Sequence, residues 1–412
     1  MPNKRKIFND PVYGFITVPS DLIFDIIEHP YFQRLRRVKQ LGVAEFVYPG
    51  ALHTRFQHAL GAMHLMGLAL HTLQQKGNQI SEEEWEAAQI AILLHDIGHG
   101  PFSHVLEYTI LRNVHHEYIS ALLMAELNKV FDGKLSLAIN MFNNTYHRPF
   151  FHQLISSQLD MDRMDYLKRD SFFTGVAEGT IGVDRLIKML DVVDNNLVVE
   201  EKGVLSVENF LNARRLMYWQ VYLHKTSICA ETILINIIQR ARDLIKDGFD
   251  VFVSPAFGIF LREEVNVNNF DQHTKYLQAF TELDDYDIWL CIKIWKSHSD
   301  KILSLLCTNL LDRKLFKIRI SNEPIEQSVI DEIKNQLLEN QIGEENVKYF
   351  YVSNQISNKG YIAENSNINI VTKDRQIIDI ADASDLPTIK ALSNIVKKFY
   401  ICWGKNVYLQ KN

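Results

Sequence analysis

Residues 81–101, SEEEWEAAQIAILLHDIGHGP, decide the fold. Ser81 followed three residues later by Glu84 predicts a reciprocal helix cap, in which the hydroxyl accepts from a backbone N–H and the carboxylate reaches back. The apolar run behind it predicts a buried helix. Gly98, Gly100 and Pro101 stop that helix, the glycines by backbone freedom and the proline by its missing N–H. The helix therefore carries adjacent His95 and Asp96 to a buried end. Burying an imidazole and a carboxylate together is costly without compensation. A bare His-Asp pair would read first as a core histidine bonded to its neighbour, so the surrounding sequence decides what it is.

Working outward, the apolar helical pattern recurs. HALGAMHLMGLALHTL begins at His58, QLISSQLDMDRMDYLKRD carries Asp162, and residues 205–247 run without Gly or Pro, which predicts one or two long helices. Residues 20 to about 245 therefore predict a helical bundle. After Gly248 the pattern changes. LFKIRIS and VKYFYVSN alternate at period two, EQSVIDEIKNQLLEN reads as a helix between them, and NINIVT and IIDIAD read as short strands. The Asn-rich stretches of 352–369 read as loops. The expected fold is mainly α: a helical catalytic unit over residues 1–248, including an N-terminal candidate regulatory segment, and a smaller mixed α/β assembly region over 249–412.

Composition excludes several classes. Hydrophobic residues make up 47 % of the 412 and charged residues 23 %, which fits a globular chain and not a disordered one. No run approaches the ~18 apolar residues of a membrane span. The N-terminus lacks the apolar core of a secretory signal. A formal charge of −6 argues against nucleic acid as the main ligand, because such binding rests on many phosphate contacts. The four scattered cysteines predict reduced thiols in a cytoplasmic protein.

The histidines are concentrated early: 12 of 15 lie between His29 and His152, which points to metal or proton-transfer chemistry there. His58, His95, Asp96 and Asp162 supply two imidazoles and two carboxylates from three predicted helices. Such a set suits one divalent transition metal (Mn, Fe, Ni or Zn) or Mg, with positions left for water and a substrate oxygen. Arg55, Arg163, Lys168 and Arg169 would concentrate positive charge beside it. Asp162, Tyr166 and Asp170, spaced by four, share one helical face.

HPYFQRLRRVKQLG, YPGALHTRFQHALG, HDIGHGPFSH, HHE, MDRMDYLKRD and YLHK together resemble the HD-domain deoxynucleoside triphosphate triphosphohydrolases, a family with vertebrate and bacterial members. The resemblance is strong from residue 4 to about 245 and fades in the last 90. It implies an HD-domain bundle that converts a dNTP to a deoxynucleoside and inorganic triphosphate, assembled as a dimer or tetramer, with no sterile-alpha-motif domain ahead of the catalytic unit. By matching positions, Arg55, Arg163 and Tyr166 would hold phosphates, and Gln40 and Asp170 would bond the sugar 3′-hydroxyl. Tyr222 would crowd C2′ and exclude a ribose. Arg214 matches a substrate-facing arginine, and Tyr218 stands where vertebrate members carry histidine. On the residues alone Tyr222 reads first as a core aromatic, and Arg163, Lys168 and Arg169 as a solvated helix face.

His104 is expected to act as general acid or base at the α-phosphate, oriented by Glu107 and assisted by His116. His99 is expected beside the ligands, and His29, His53, His64 and His71 to be structural. His115 and His116 are separated only by the match in HHE. Lys6, Ile7, Glu28, Gln33 and Arg36 match the positions where regulated members bind an activating GTP or dGTP. Glu28 replaces the usual Asp there. The alternative is that RLRRVK is an amphipathic helix with Arg34, Arg36, Arg37 and Lys39 solvated. Two rivals stay open for the whole chain: an HD phosphohydrolase acting on a monophosphate, a cyclic dinucleotide or an alarmone, and a non-enzymatic module that senses nucleotides or binds single-stranded nucleic acid.

Overall fold

A computed structural model describes residues 6–102, 109–111, 114–272, 274–340, 342–358, 367–387, 389 and 396–405. The chain is mainly helical, as expected. A hairpin of β1 (Ile7–Asp10) and β2 (Gly14–Thr17) leads into α1 (Asp21–Glu28) and the short α2 (Pro30–Gln33). Then follow α3 (Arg55–Gln75), α4 (Glu82–Leu94), α5 (His116–Val130), α6 (Ser136–Phe142), α7 (Phe150–Ile155), α8 (Met161–Thr174) and α9 (Val183–Met189). Strands β3 (Leu190–Val193) and β4 (Asn196–Glu200) separate these from α10 (Val204–Met217) and α11 (Lys225–Lys246).

The cap read from Ser81 and Glu84 forms in both directions, at 3.1 and 2.9 Å. Helix α4 then runs through the core, burying Ile90 to Leu94, and ends with His95 as its C-cap. Helix α3 starts at Arg55, three residues earlier than expected, behind a capping box of Thr54 and Gln57. Helices α3 and α8 cross at Gly61. A β-carbon there would lie 2.0 Å from Asp165 Oδ1 and 2.2 Å from Arg169 Nη2, so this crossing needs glycine. Gly98 is fixed in the same way. A β-carbon would meet the His116 carbonyl at 2.2 Å, while Ser120 Oγ accepts from Gly98 N and donates to the His95 carbonyl.

Three local expectations are corrected. The region read as mostly helical, residues 20 to about 245, contains a hairpin. In β3–β4 the turn residues Asp194 and Asn195 both have positive φ, and such paired left-handed residues match the twist of a two-residue hairpin. The stretch 205–247, expected as one or two long helices, forms two, α10 and α11, with a π-helical turn at Tyr218–Tyr222 between them. Residues 355–358, inside the Asn-rich stretch read as loop, continue the strand expected from VKYFYVSN, because 351–358 pair in register with 396–403. Arg34 is fully buried and not solvated. Its guanidinium donates to the carbonyls of Ile97, His99 and Leu283, which compensates the burial of its charge.

Beyond α11 lie α12 (Pro255–Arg262), α13 (Val267–Gln272), α14 (Thr274–Glu282), α15 (Asp285–Trp295) and α16 (Lys301–Leu311). Then come β5 (Lys317–Ser321), α17 (Gln327–Glu339), β6 (Tyr351–Asn358), β7 (Asn369–Val371), β8 (Ile377–Asp379), α18 (Ile380–Ala383) and β9 (Val396–Trp403). Strand β9 lies between β5 and β6, antiparallel to both. Strand β7 runs parallel to β4, with Val199 opposite Ile370, so the C-terminal region returns to pair with the first 248 residues.

Gly61→Ala tests the α3–α8 crossing. Thermal and urea unfolding should show a loss of about 1–3 kcal/mol, as overpacked cores do; an unchanged midpoint would show that the crossing has slack.

Candidate functional site

Three helices converge on one buried point. His58 comes from the first turn of α3, His95 and Asp96 from the end of α4, and Asp162 from the first turn of α8. Asp162 Oδ1 lies 3.2 Å from His58 Nε2 and 3.4 Å from His95 Nε2. Asp96 lies 3.4 Å from His95 Nε2 and 3.8 Å from His58 Nε2. His58, His95 and Asp162 each present a donor atom within 4.8 Å of the others.

The ring orientations are fixed from behind. His58 Nδ1 is bonded to Asp165 Oδ2 at 2.7 Å, and His95 Nδ1 to the Ile92 carbonyl at 2.6 Å. Both Nε2 atoms are thereby turned inward, buried and without a hydrogen-bond partner. Buried polar atoms are rarely left this way. Two such imidazoles facing two carboxylates are the arrangement a divalent cation satisfies, and a carboxylate or carbonyl behind each histidine is what metal-binding histidines carry. The residues present therefore fit the metal expected from the sequence.

Electrostatics agree. Burial opposes the charge on His58, but Asp162 and Asp165 outweigh it and raise its pKa to about 10. Burial likewise opposes charge on Asp162, which His58 and His95 nonetheless hold far below the usual carboxylate range. Asp96 is depressed against burial by His95, His99 and Arg55. Arg55 donates to Asp96 Oδ2, so it positions a ligand as well as supplying positive charge.

A second group adjoins the first. His99 Nε2 lies 3.4 Å from Asp96 Oδ1, and its ring stacks on His116 at 3.7 Å between centroids. Burial, then Arg55, holds His99 well below its ordinary pKa, so it is neutral. This separates the paired histidines: His116 is half-buried against His99, whereas His115 is exposed as the N-cap of α5. His104 and Glu107 lie outside the described residues.

The other expected residues line up as follows. Arg163 is bound to Asp160, the N-cap of α8, and its buried Nε has no partner. Tyr222, on the π turn, donates to Asp170 Oδ2 at 2.8 Å, and Asp170 Oδ1 is 2.7 Å from His53 Nε2. Tyr166 meets Tyr222 edge-on at 6.0 Å, and Tyr218 meets Tyr222 at 5.2 Å. Arg214 donates to Gln158 at 2.9 Å. Gln40 has a buried carbonyl oxygen without a partner. Arg169 does not join this wall. It is fully buried, donating to Asp165 and, at 2.7 Å, to Asp10. Lys168 stands over the Tyr13 ring at 4.6 Å. In the N-terminal group, Lys6 approaches Glu28 at 3.9 Å and Arg36 donates to Gln33 at 2.9 Å, while Ile7 is exposed.

Asp165 was missed in the sequence. The spacing Asp162–Tyr166–Asp170 drew attention to one face of α8. The neighbouring face carries Asp165 and Arg169, an i,i+4 ion pair that was the available signal. A cavity of about 580 Å³ lies elsewhere, among Ser156, Ser157, Leu159, β4 and residues 367–369. The unpaired donors, and not cavity size, mark the site.

Comparison with known proteins agrees with this geometry. Residues 55–170 match the HD domain, and residues 181–249 match an HD associated region. YwfO of Bacillus subtilis, a protein of uncharacterised function, is 33 % identical over 337 residues, covering 80 % of this chain and 76 % of that one. The chain belongs to the HD-domain family. The crystal structure of a phosphohydrolase from Bacteroides thetaiotaomicron superposes with a TM-score of 0.94 at 52 % identity, covering 97 % of this chain and 99 % of that one. The Dictyostelium discoideum deoxynucleoside triphosphate triphosphohydrolase SAMHD1 homolog is 31 % identical over 263 residues, 58 % of this chain and 50 % of that one. This HD-domain protein is thus a phosphohydrolase in which His58, His95 and Asp162 could hold a divalent metal ion. No helix among its described residues is long and apolar enough to cross a membrane.

Asp165→Asn keeps the shape behind His58 but removes the charge. It should weaken divalent-metal binding about 10–100-fold in calorimetric titration; wild-type affinity would show that His58 needs no carboxylate behind it.

Proposed function

We propose that this HD-domain phosphohydrolase cleaves dNTPs to deoxynucleosides and inorganic triphosphate. One observation carries the reading: the metal-ligand cluster is continuous, through α8, with a wall that suits a deoxynucleotide. Along that helix Asp162 faces the ligands, Arg163 keeps a buried N–H unpaired, and Asp170 is held by Tyr222 and His53. A curated dNTP triphosphohydrolase among the relatives supports the same substrate class.

His58, His95, Asp96 and Asp162 would hold the cation. Such a cation, when bound, supplies Lewis acidity toward a phosphoryl oxygen. The remaining work belongs to side chains. Arg55, Arg163 and Tyr166 would bind the triphosphate. Gln40, with its unpaired oxygen, and Asp170 would accept the sugar 3′-hydroxyl. The Tyr222 ring, fixed through its hydroxyl, would fill the space of a 2′-hydroxyl, with Tyr218 and Arg214 beside it toward the base. Expelling the 5′-oxygen needs a proton. His116, stacked on His99, would assist a donor role assigned to His104 with Glu107.

GTP or dGTP would activate by binding at Lys6, Ile7, Glu28, Gln33 and Arg36 in a homodimer or homotetramer. A physical link supports this. Hairpin β1–β2 ends in Asp10, which accepts from Arg169, which grips Asp165, which holds His58. Ordering the hairpin would reach a metal ligand through three bonds. Hyperbolic kinetics unchanged by GTP or dGTP would remove this part of the proposal.

The test is a panel of dNTPs, NTPs, nucleoside monophosphates, cyclic dinucleotides and alarmones with Mn²⁺ or Mg²⁺. Tripolyphosphate from dNTPs is expected; orthophosphate, pyrophosphate or cleavage of another class would assign a rival. Asp96→Asn should lower turnover more than about 100-fold. Tyr222→Ala should admit NTPs, and unchanged sugar discrimination would reject its role.

A further inference from the structure

The turn that carries Tyr222 is held from outside by the far end of the chain. A π-helical turn takes one residue more than an α-helical one, so it re-aims its side chains by about 100° relative to the helix before it. Here the turn closes through Leu223 N, which donates to the Tyr218 carbonyl at 2.8 Å. Such turns are rare, and what they push outward needs partners. Two partners are present. The Gln220 carbonyl accepts from the Tyr48 hydroxyl. The Trp219 ring lies under Lys398, whose Nζ stands 4.2 Å from the ring centroid.

Lys398 belongs to β9. Side chains alternate between the faces of a strand, so Lys398 shares one face with Tyr400 and Cys402. On that face Tyr400 and Cys402 are buried, and Cys402 Sγ lies 3.5 Å from Cys229 Sγ of α11. Pairing with β6 from residue 396 to 403 fixes where the lysine stands. Lys397, on the opposite face, is exposed. Lys398 has no ion-pair partner among the described residues, so the indole is what its ammonium faces. Tryptophan is the aromatic ring that attracts a cation most strongly.

We infer that Lys398 is a positioning residue for sugar selection: its ammonium pins Trp219, and the pinned turn aims Tyr222 at Asp170. The path is short. Trp219 stands three residues before Tyr222 in one turn, and Tyr222 donates to Asp170 Oδ2 at 2.8 Å. The Tyr218 ring, on the other side of Trp219, meets Tyr222 edge-on at 5.2 Å. The inference rests on the reading of Tyr222 as the residue that excludes a ribose. No candidate metal ligand lies on this path, so the effect falls on substrate discrimination and not on metal binding. It gives the C-terminal sheet a part in the site that a purely assembling region would not have.

Full-length protein labelled with fluorotyrosine tests the placement without any substrate. The Tyr222 signal in the fluorine NMR spectrum, identified by its loss in Tyr222→Phe, should shift in Lys398→Met. It should return in Lys398→Arg, which keeps a cation over the ring, and stay unmoved in Lys397→Met. In parallel, the ratio of kcat/KM for dNTPs over NTPs should fall about two- to fivefold in Lys398→Met and recover in Lys398→Arg. Trp219→Leu should shift the signal and lower the ratio likewise, and adding Lys398→Met to it should change neither further. An unmoved Tyr222 signal in Lys398→Met, no recovery in Lys398→Arg, or additive effects in the double variant would overturn the inference. So would an unchanged ratio in Lys398→Met where Tyr222→Ala relaxes it. A shifted signal in Lys398→Met, with Tyr222→Ala rejecting NTPs as wild type does, would uphold the positioning and remove the sugar reading instead.

Discussion

The site depends on what lies behind two imidazoles. An unrestrained histidine can present either ring nitrogen, and a buried one turns toward whatever partner it finds. Here Asp165 takes His58 Nδ1 and the Ile92 carbonyl takes His95 Nδ1. Only the Nε2 atoms are left, and both face Asp162. Asp165 is in turn gripped by Arg169, and Arg169 by Asp10. Removing one partner from a buried charge pair commonly costs about 3–5 kcal/mol. The network therefore holds its geometry as long as it holds together.

Helix α8 does two jobs because adjacent faces diverge by about 100° per residue. One face carries Asp162, Tyr166 and Asp170, the last two against Tyr222. The next carries Asp165 and Arg169 into the crossing with α3, where Gly61 leaves room for their side chains. The π turn at 218–222 makes a comparable adjustment, placing Tyr222 against Asp170. Single π turns inside helices occur often at functional sites. The candidate site's side chains are thus supported by helical elements.

Much of this was legible in the sequence, for identifiable reasons. The helix at 82–94 carried its own start signal in Ser81 and Glu84, and its stop in the glycines after His95. The candidate metal cluster of His58, His95 and Asp162 was readable because unlike donors recurred on three apolar helices, and the motif resemblance tied them together. Pairing across long separations was not readable. Residues 355–358 look loop-like until β9 supplies their partner. Arg34 looked solvated because no local pattern shows carbonyls from residues 97, 99 and 283 converging on it. The hairpin at 190–200 was legible in principle, since Asp194–Asn195 between β-branched runs is a turn signal. It was lost inside a helical trend.

The most direct test of the account is anomalous diffraction from crystals grown or soaked with Mn²⁺. One peak bounded by His58, His95, Asp96 and Asp162 is predicted, with His58 Nδ1 still on Asp165. No peak there, or a peak bound instead through Nδ1 after the rings have turned, would contradict the claim that the bonds behind the histidines set the site.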